Sequence, residues 1–332
     1  MKKTILLTGG AGYIGSHTYV ALCEAGYIPV IFDNFSNSRP EVIKRLCEIT
    51  GKDVLYHIGD VRNKAALDET FKTYNFDAVI HFAALKAVGE SVEKPLLYFD
   101  VNCSGFLTLM QVMHEHAVNR IVFSSSATVY GEPQYCPLDE AHKCDPESPY
   151  AFTKTFGEQV LSQAERANPK LSVGILRYFN PVGAHDSAMI GEDPMGVPNN
   201  LMPLLAMVAD GRLKKLQVYG DDYDTPDGTG VRDYIHVDDL AHRHVLSVNR
   251  LIETDNSHTV NLGTGIGYSV KEMIAAYSKA SGKAIPFDIA PRRAGDVASY
   301  FADTSQAYDL LGFKTKKTLD DMCRSSWLWV SK

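Results

Sequence analysis

Short apolar runs alternate with amphipathic stretches through roughly the first 180 residues of the chain. The runs are rich in β-branched residues and predict buried strands, while the stretches between them place apolar residues three and four positions apart and predict helices. Regular alternation of this kind predicts an α/β fold built on a doubly wound parallel sheet. The predicted strands are Thr4–Thr8, Pro29–Asp33, Val54–Gly59, Ala78–Phe82, Arg120–Ser124 and Ser172–Arg177. The predicted helices are Gly12–Ala25, Glu41–Glu48, Ala65–Thr73, Leu96–His116 and Tyr150–Ala167.

The alternation breaks after about Asn180, and no strict strand–helix order is predicted beyond it. Glycine and proline crowd residues 181–203 and 220–230, which is typical of a loop-rich domain. A helix at Asp238–Asn249 and a strand at Thr259–Leu262 are predicted within this half. We therefore expect a first domain over residues 1–180, with residues 233–262 packing back onto it, and a second, smaller α/β domain over residues 181–332.

Charge and cysteine content limit the ligands and the cellular compartment that are expected for this chain. The 332 residues carry 33 Lys and Arg against 40 Asp and Glu, a net charge of −7, which argues against general affinity for nucleic acid or an anionic membrane. No uninterrupted apolar run reaches the ~18 residues of a membrane span, and the run after Lys3 is too short for a signal peptide. The six cysteines form no zinc-ligand pattern, so reduced thiols, no metal and a cytoplasmic protein are expected.

A glycine-rich turn follows the first predicted strand. Gly9, Gly10, Gly12 and Gly15 fit the G-x-G-x-x-G pattern of dinucleotide-binding loops. Glycines there allow the backbone to turn tightly and approach a pyrophosphate, which then meets the positive end of the following helix. Taken alone, the pattern is also compatible with a plain turn.

Acidic residues at the ends of the next two strands favour the dinucleotide interpretation. Asp33 lies 18 positions after Gly15, close to the spacing of a carboxylate that binds ribose hydroxyls and selects NAD over NADP. Asp60, after the third strand, is placed to meet the adenine. Carboxyl ends of parallel strands share one sheet edge, so the sequence predicts a Rossmann-type NAD site there. Small residues that leave room for the cofactor, and a lysine, follow the fourth strand: Ala83, Ala84 and Lys86.

Tyr150 and Lys154 begin a helix that is capped by Ser148, and they share one face because they are four residues apart. A phenol with a pKa of ~10 is a poor base at neutral pH, but a nearby ammonium and an oxidised nicotinamide stabilise its phenolate. A solvated surface pair is the alternative. The preceding strand brings Ser124 and Ser126 to the same sheet edge, which favours a site for proton and hydride transfer.

Six longer motifs resemble the extended short-chain dehydrogenases/reductases that act on nucleotide sugars. The motifs are HFAALKAVGES (81–91), SSSATVYG (124–131), RYFNPVGA (177–184), PNNLMP (198–203), GTGVRDYIHV (228–237) and PRRAGD (291–296). Within that family they are most similar to the UDP-glucose (UDP-galactose) 4-epimerases, and the resemblance covers essentially the whole chain. It implies reversible C4 epimerisation through a 4-keto sugar with tightly bound NAD, a place in galactose metabolism, and a homodimer that pairs helices 96–116 and 150–167.

The resemblance also implies roles for individual residues. Tyr150 would be the base, Ser126 would relay the proton, and Lys154 would hold the nicotinamide ribose and tune Tyr150. The implied NAD-binding residues are Gly9, Gly12, Tyr13, Ile14, Gly15, Asp33, Asn34, Phe35, Ser36, Asn37, Ser38, Asp60, Val61, Phe82, Ala83, Ala84, Lys86, Asn102, Ser124, Tyr150, Lys154, Tyr178 and Phe179. The implied substrate-binding residues are Lys86, Ser126, Tyr150, Phe179, Asn180, Asn199, Asn200, Leu201, Leu216, Val218, Tyr219, Arg232, Tyr234, Arg293, Asp296 and Tyr300.

Two positions bear on how closely the family pattern is followed. Val101 stands where an asparagine is expected before Asn102, which weakens the expected hydrogen bonding on the nicotinamide side. Tyr300 occupies a position at which family members differ. Its bulk implies that UDP-galactose and UDP-glucose are accepted in preference to their N-acetyl forms.

Two other functions share parts of this pattern. A nucleotide-sugar 4,6-dehydratase needs acidic groups directly after the catalytic serine, but Ala127 and Thr128 follow Ser126. A redox-sensing protein that holds NAD without turnover has little need of the tyrosine and the lysine, and this chain keeps both.

Overall fold

The computed structural model describes residues 2–196, 198, 200–293, 295–312 and 314–332. The chain forms two compact units, each built from more than one segment. The first unit comprises Met1–Gly131, Lys143–Tyr178 and Ala241–Val260. The second comprises Glu132–His142, Phe179–Leu240 and Asn261–Lys332.

The strands of the described residues are short, as is usual in α/β proteins. Those in the first 180 residues are β1 (Thr4–Thr8), β2 (Ile28–Asp33), β3 (Leu55–Ile58), β4 (Ala78–His81), β5 (Arg120–Ser126) and β6 (Ser172–Tyr178). The later ones are β7 (Asn180–Val182), β8 (Leu216–Tyr219), β9 (Val231–His236), β10 (His258–Leu262), β11 (Gly267–Ser269), β12 (Phe287–Ala290) and β13 (Ser299–Tyr300).

The helices fall between these strands. In the first half they are α1 (Tyr13–Glu24), α2 (Glu41–Thr50), α3 (Lys64–Thr73), α4 (Val88–Glu93), α5 (Pro95–Tyr98), α6 (Gly105–Glu115) and α7 (Pro149–Ala167). In the second half they are α8 (Leu201–Ala209), α9 (Val237–Thr254), α10 (Val270–Ser281), α11 (Ser305–Leu311) and α12 (Leu319–Val330).

A seven-stranded sheet in the order β10-β6-β5-β4-β1-β2-β3 forms the centre of the first unit. Neighbouring strands from β3 to β6 pair in parallel, so the predicted doubly wound parallel sheet is confirmed. Its central strands are buried apolar runs and pack under the helices, with Leu6, Val79, Ile121 and Phe123 in one core cluster. The order reverses at β1, which pairs with both β2 and β4, and ligands of such sheets bind beside this reversal at the carboxyl edge.

The predicted helix over 96–116 is interrupted. Residues Phe99–Ser104 form a π-helical turn between α5 and α6. Such turns insert an extra residue into the helical repeat and recur at functional sites. Here the turn contains Asn102, one of the predicted cofactor residues. The combined helix Pro95–Glu115 is also the one helix of the described chain that is long and apolar enough to cross a membrane, and 39% of its most apolar window is buried inside the protein.

In its described residues, the second unit contains two small sheets and a group of helices in which α8, α10 and α12 pack together. One sheet has the order β11-β9-β13, with β7 also paired to β9, and the other pairs β12 with β8 in parallel. Its core is formed by apolar side chains of α8, α10 and α12, including Leu205, Met273, Tyr277 and Met322.

The second half differs from its predicted irregularity, since strand and helix alternate again through β9-α9-β10 and β11-α10-β12. The predicted helix at Asp238–Asn249 and strand at Thr259–Leu262 correspond to α9 and β10. β11 and β12, with three and four residues, are too short to show a clear periodicity. Residues 132–142 fall within the predicted first domain but lie in the second unit, where Leu138 exchanges backbone hydrogen bonds with Phe301 and Asp303 at 2.9 and 2.7 Å.

Candidate active site

The glycine turn between β1 and α1 has no room for larger residues. Gly9 has a φ of +71°, and a Cβ atom there would lie 2.6 Å from the backbone nitrogen of Ala83. A Cβ on Gly15 would lie 2.5 Å from the carbonyl oxygen of Gly9. The loop after β4 can therefore come this close only because Gly9 lacks a side chain. Tyr13 begins α1 directly after the turn, so an anion beside the turn meets the positive end of that helix.

Asp33 is held by the turn that follows β2. Its carboxylate accepts hydrogen bonds from the backbone nitrogens of Ala11 at 2.9 Å and Phe35 at 2.8 Å, and from the Ser38 hydroxyl at 3.3 Å. Burial raises the pKa of Asp33, and these hydrogen bonds oppose that rise. Phe35 adopts a φ of 56°, a strained conformation for a non-glycine residue and one that clusters at functional sites.

The remaining predicted residues of this turn surround the carboxylate at differing depths. Asn34 is exposed, and its Oδ1 accepts a hydrogen bond from the backbone nitrogen of Ser36 at 3.0 Å. Asn37 is also exposed, whereas Ile14 in the first turn of α1 is half-buried. Side chains on the surface of the turn are thus available to a ligand, while Asp33 lies beneath them.

Asp60 lies where it was predicted, but its partner was missed. Arg62 donates hydrogen bonds to both carboxylate oxygens of Asp60, from Nε at 2.9 Å and from Nη2 at 2.7 Å, and these bonds lower the pKa of Asp60 to about 2. Asn34 also donates to Asp60, at 3.0 Å. The Val61 side chain is buried in the core against Gly105 and is not exposed at the sheet edge. Arg62 is two residues after Asp60, and this spacing is the feature of the sequence from which the ion pair could have been predicted.

The loop after β4 is fixed by Asn102. The Asn102 side chain accepts from the Leu85 backbone nitrogen at 2.8 Å and donates to the Leu85 carbonyl and the Thr153 hydroxyl, both at 3.0 Å. Its amide thus joins the Phe82–Lys86 loop to α7. Lys86 is exposed, with its Nζ 5.9 Å from the ring centroid of Tyr13.

Tyr150 and Ser126 meet at the carboxyl end of β5. Burial raises the pKa of Tyr150 to about 12, and a hydrogen bond with the Ser126 side chain acts in the opposite direction. The Ser126 hydroxyl oxygen also accepts from the backbone nitrogen and the hydroxyl of Thr128, at 3.3 and 3.0 Å. These contacts fix the Ser126 hydroxyl at the end of β5, in the part of the first unit that holds Tyr150.

Lys154 lies beneath the phenol. Its side chain is 5% exposed, and its Nζ donates to the Ser124 carbonyl at 2.7 Å and lies 5.7 Å from the ring centroid of Tyr150. Burial lowers the pKa of Lys154 to about 8. The predicted pair is therefore not a solvated surface pair. A buried ammonium this close favours the phenolate form of the tyrosine.

Two buried histidines flank this group. His81, at the end of β4, bonds the Thr8 hydroxyl through Nδ1 at 2.7 Å, and burial lowers its pKa to about 3. Tyr178, predicted to contact the cofactor, bonds His244 through its hydroxyl, and Phe82 packs 4.9 Å from the His244 ring. His81 is therefore neutral near pH 7, and His244 is a buried hydrogen-bond partner of Tyr178.

The second unit gathers the two predicted phosphate-binding arginines around one carboxylate. Arg293 Nε lies 3.0 Å from Asp296, and Arg232 Nη2 lies 3.8 Å from the same carboxylate. Arg232 also donates to the Val231 and Val297 carbonyls, at 2.8 and 2.9 Å, and Arg293 stacks 4.6 Å above the Tyr219 ring. Two planar guanidinium groups held in this way suit a diphosphate.

The residues of β8 that are predicted to contact uracil differ in how deeply their side chains are buried. Leu216 and Val218 point into the core of the unit, whereas Tyr219 is exposed beneath Arg293. A base lying along this strand can therefore contact its backbone and the Tyr219 ring, but not the two aliphatic side chains.

The other predicted substrate residues are more scattered within the second unit. Asn200 donates to Glu192 at 3.2 Å, Asn180 is exposed at the start of β7, and Phe179 packs 5.9 Å from the Tyr300 ring. Leu201 begins α8 half-buried, and Tyr234 is buried, which raises its pKa to about 12. Asn199 lies outside the described residues.

Comparison with known proteins agrees with the resemblance. A family model described as GDP-mannose 4,6 dehydratase matches residues 6–326. UDP-glucose 4-epimerase of Mus musculus is 53% identical over 99% of this chain and 96% of that protein.

Two solved structures are similar over 99% of this chain and 98% of theirs. UDP-glucose 4-epimerase from Bifidobacterium longum, in complex with NAD+ and UDP, has a TM-score of 0.95 at 52% identity. The enzyme from Stenotrophomonas maltophila, with bound NAD and formylated UDP-arabinopyranose, has a TM-score of 0.97 at 49% identity.

Proposed function

The chain belongs to the UDP-glucose 4-epimerase family of extended short-chain dehydrogenases/reductases, and from this premise we propose how its residues divide the reaction. The enzyme interconverts UDP-glucose and UDP-galactose with NAD, inverting the hexose at C4 through a 4-keto sugar. The single observation that carries our assignment of roles is the buried ammonium of Lys154, which donates to the Ser124 carbonyl at 2.7 Å and lies 5.7 Å from the ring centroid of Tyr150.

The first unit fits NAD. Gly9 and Gly15 stand where any Cβ would strike backbone, which leaves the main chain open to a pyrophosphate at the start of α1. Asp33 and the Phe82–Lys86 loop, fixed by Asn102, would hold the ribose and nicotinamide parts. Bound NAD supplies the acceptor for the C4 hydride and the donor that returns it to the opposite face.

Tyr150 is the base that takes the proton of the sugar 4-hydroxyl. A phenolate is needed for this step, and burial alone opposes it by raising the pKa of Tyr150. The ammonium of Lys154, 5.7 Å from the ring centroid, favours the phenolate by its positive charge. Ser126 bonds the 4-oxygen and passes the proton to and from Tyr150. When the keto sugar is reduced on its other face, the same phenol returns the proton, so the chain ends the cycle unchanged.

The second unit binds the UDP part through Arg232, Arg293 and Tyr219. Asp296 holds both guanidinium groups near each other before substrate arrives. A diphosphate then offers them charge-assisted hydrogen bonds, which are about twice as strong as neutral ones. This local positive cluster accounts for binding of an anion by a chain whose net charge is −7.

A 4,6-dehydratase is the second candidate because the matching family model carries that description. The turn after Ser126 runs through Ala127–Tyr130, in which Ala127, Val129 and Tyr130 are buried and none of the four residues carries a carboxyl group. An acid that protonates a departing 6-hydroxyl is therefore missing from this turn, and the epimerase assignment is favoured.

Tyr300 restricts the substituent at C2 of the sugar. Its ring packs beside Phe179, and β13 pairs with β9 so that Tyr300 lies opposite Arg232. A bulky ring at this place leaves less room than a small residue for an N-acetyl group. Comparable turnover of UDP-N-acetylgalactosamine and UDP-galactose contradicts this part of the proposal.

The enzyme acts in the cytoplasm as a homodimer. All six cysteines are free thiols, which suits a reducing compartment. In the first unit, exposed apolar residues lie along Pro95–Glu115 and on the neighbouring helix α7, with Leu96 81% exposed and Phe152 52% exposed. Burial of such a face against a second copy relieves its contact with water without requiring a membrane.

Incubation of the purified enzyme with UDP-galactose and no added NAD tests the reaction, with the sugar nucleotides resolved by anion-exchange chromatography. We expect UDP-glucose to form, and the reverse conversion to reach the same equilibrium mixture. A 4-keto-6-deoxy product identifies a dehydratase instead, and unchanged substrate with bound NAD identifies a protein that holds the cofactor without turnover.

A further inference from the structure

A buried ion pair lies behind the helix that carries Tyr150 and Lys154. Arg177 on β6 donates from Nε and Nη2 to the two carboxylate oxygens of Glu158 on α7, at 3.0 and 2.7 Å. The side chains are only 9% and 10% exposed. The reaction described above uses neither residue.

The pair joins the elements that carry the reacting groups. Ser125, which stands between Ser124 and Ser126 on β5, donates a hydrogen bond from its hydroxyl to Glu158 at 2.5 Å. Arg177 donates from Nη1 to the Tyr130 hydroxyl at 3.0 Å and stacks 4.9 Å above the Tyr130 ring. α7, β5, β6 and the turn after β5 are thereby fixed to one another.

Stability alone explains such a pair poorly. Removing two charges from water costs so much that replacement by packed apolar residues is often neutral or stabilising. The position of this pair is informative instead, because Glu158 lies one helical turn from Lys154 on the same face of α7. Its negative charge raises the pKa of Lys154, while burial lowers it.

The other titratable groups of the described structure that act on Lys154 and Tyr150 are uncharged at neutral pH. Burial raises the pKa of Cys103, on the π-helical turn, to about 11, and lowers that of His81, on β4, to about 3. Burial raises the pKa values of the Tyr98 and Tyr178 phenols, and the nearby Tyr150 raises them further. Cys144, whose pKa is also raised, lies near both members of the ion pair. Glu158 is therefore a charged group of the described structure that acts on Lys154, and Arg177 is bonded to its carboxylate.

We propose that Glu158 and Arg177 are positioning residues that form a balanced pair of charges behind Lys154, holding α7 against β5 and setting the protonation of the Tyr150–Lys154 couple. The inference rests on the roles proposed above for Tyr150 and Lys154. Arg177 holds the carboxylate in place and offsets part of its field, so that loss of either residue changes the charge that the couple experiences.

Removal of either charge is expected to shift the pH–rate profile, and the two shifts have opposite signs. Glu158→Gln removes a buried negative charge and so favours loss of a proton from either Tyr150 or Lys154, which moves the pH–rate profile to lower pH. Arg177→Gln removes a positive charge and moves the profile to higher pH. A shift of about one pH unit is the scale expected for a unit charge one helical turn away in a protein interior.

The experiment measures kcat for UDP-galactose against pH in the wild type, both single variants, the double variant and Arg177→Lys. The double variant and Arg177→Lys keep the local charge balanced and are expected to return the profile toward that of the wild type. Glu165→Gln removes the same charge further along α7 and is the matched control, with no shift expected. Ultraviolet difference titration of each variant against its Tyr150→Phe counterpart follows the phenolate of Tyr150 directly.

A merely structural role gives a different result. If both single variants lose turnover in proportion to their loss of thermal stability, with profiles and phenolate titrations unshifted, the inference is overturned. If Arg177→Gln does not fold, Glu158→Gln tests the proposal by itself. This substitution preserves the volume of the side chain, and its pH–rate profile must move to lower pH. Near-normal turnover in Lys154→Met would instead remove the premise, whatever the pair does.

Discussion

The ammonium of Lys154 donates to the carbonyl oxygen of Ser124 at 2.7 Å, although 30 residues separate them in the chain. The contact joins the helix that carries Tyr150 to the strand that ends in Ser126. A lysine bound in this way keeps its charge at a fixed place beneath the phenol, 5.7 Å from its ring centroid. Preorganised charge of this kind stabilises a transition state without rearrangement during the reaction.

Removal of the phenol hydroxyl tests the assigned base. Tyr150→Phe keeps the ring but leaves no acceptor for the 4-hydroxyl proton, so kcat is expected to fall at least ~10²-fold while UDP binding is retained. Steady-state turnover and calorimetric titration with UDP measure the two quantities. Tyr135→Phe, which removes an exposed hydroxyl bonded to Asp139, is the control. Near-wild-type turnover in Tyr150→Phe excludes Tyr150 as the base.

Adjacent arginines offer a matched test of the UDP site. Arg293→Ala is expected to weaken UDP binding roughly 10- to 100-fold, because a hydrogen bond to a charged group contributes about 1.5–3 kcal/mol. Arg292→Ala is the control, since Arg292 pairs with Asp222 and stacks on Tyr223 rather than joining Asp296. Kd from calorimetry decides the matter, and equal losses in the two variants contradict a specific role for Arg293.

The exposed apolar face of the first unit predicts the oligomeric state. Phe152→Glu places a charge in that face and is expected to convert a dimer into monomers, as measured by sedimentation velocity. Leu328→Glu alters an apolar residue of similar exposure on α12, in the second unit, and is expected to leave the dimer intact. A wild-type protein that sediments as a monomer at micromolar concentration removes the proposal.

Three buried histidines predict acid sensitivity. Burial lowers the pKa values of His81, His236 and His258 to about 3, 4 and 4, below the usual 6.5. The unfolded chain then binds more protons than the folded chain. The contribution of these histidines to the free energy of unfolding is therefore complete above about pH 6.5 and is lost as pH falls toward 4. Each histidine is expected to reduce the free energy of unfolding by about 1.4 kcal/mol at pH 5.5.

Urea denaturation at pH 7.5 and pH 5.5 measures this loss. His114→Gln changes an exposed histidine of α6 and is expected to leave the pH dependence unaltered. Equal free energies of unfolding at the two pH values show that these histidines do not control acid stability.

The sequence predicts candidate site residues but not the contacts that hold them. The Asn102 amide, for example, is bound to Leu85 and Thr153, and its predicted contact with the cofactor stays a prediction. Arg62, which holds Asp60, and the Glu158–Arg177 pair were missed. These contacts join residues whose pairing depends on strand order and helix rotation, which one-dimensional spacing does not specify.

The sequence by itself determined the sheet, the glycine turn and the family, because strand periodicity, glycine spacing and long motifs are local properties of the chain. Tertiary structure decided which residues are charged, buried or bound to one another. It moved residues 132–142 into the second unit, inserted a π-helical turn around Asn102, and placed a buried carboxylate behind Lys154. Such features depend on contacts between distant segments and on the removal of water around them, and both arise only when the chain has folded.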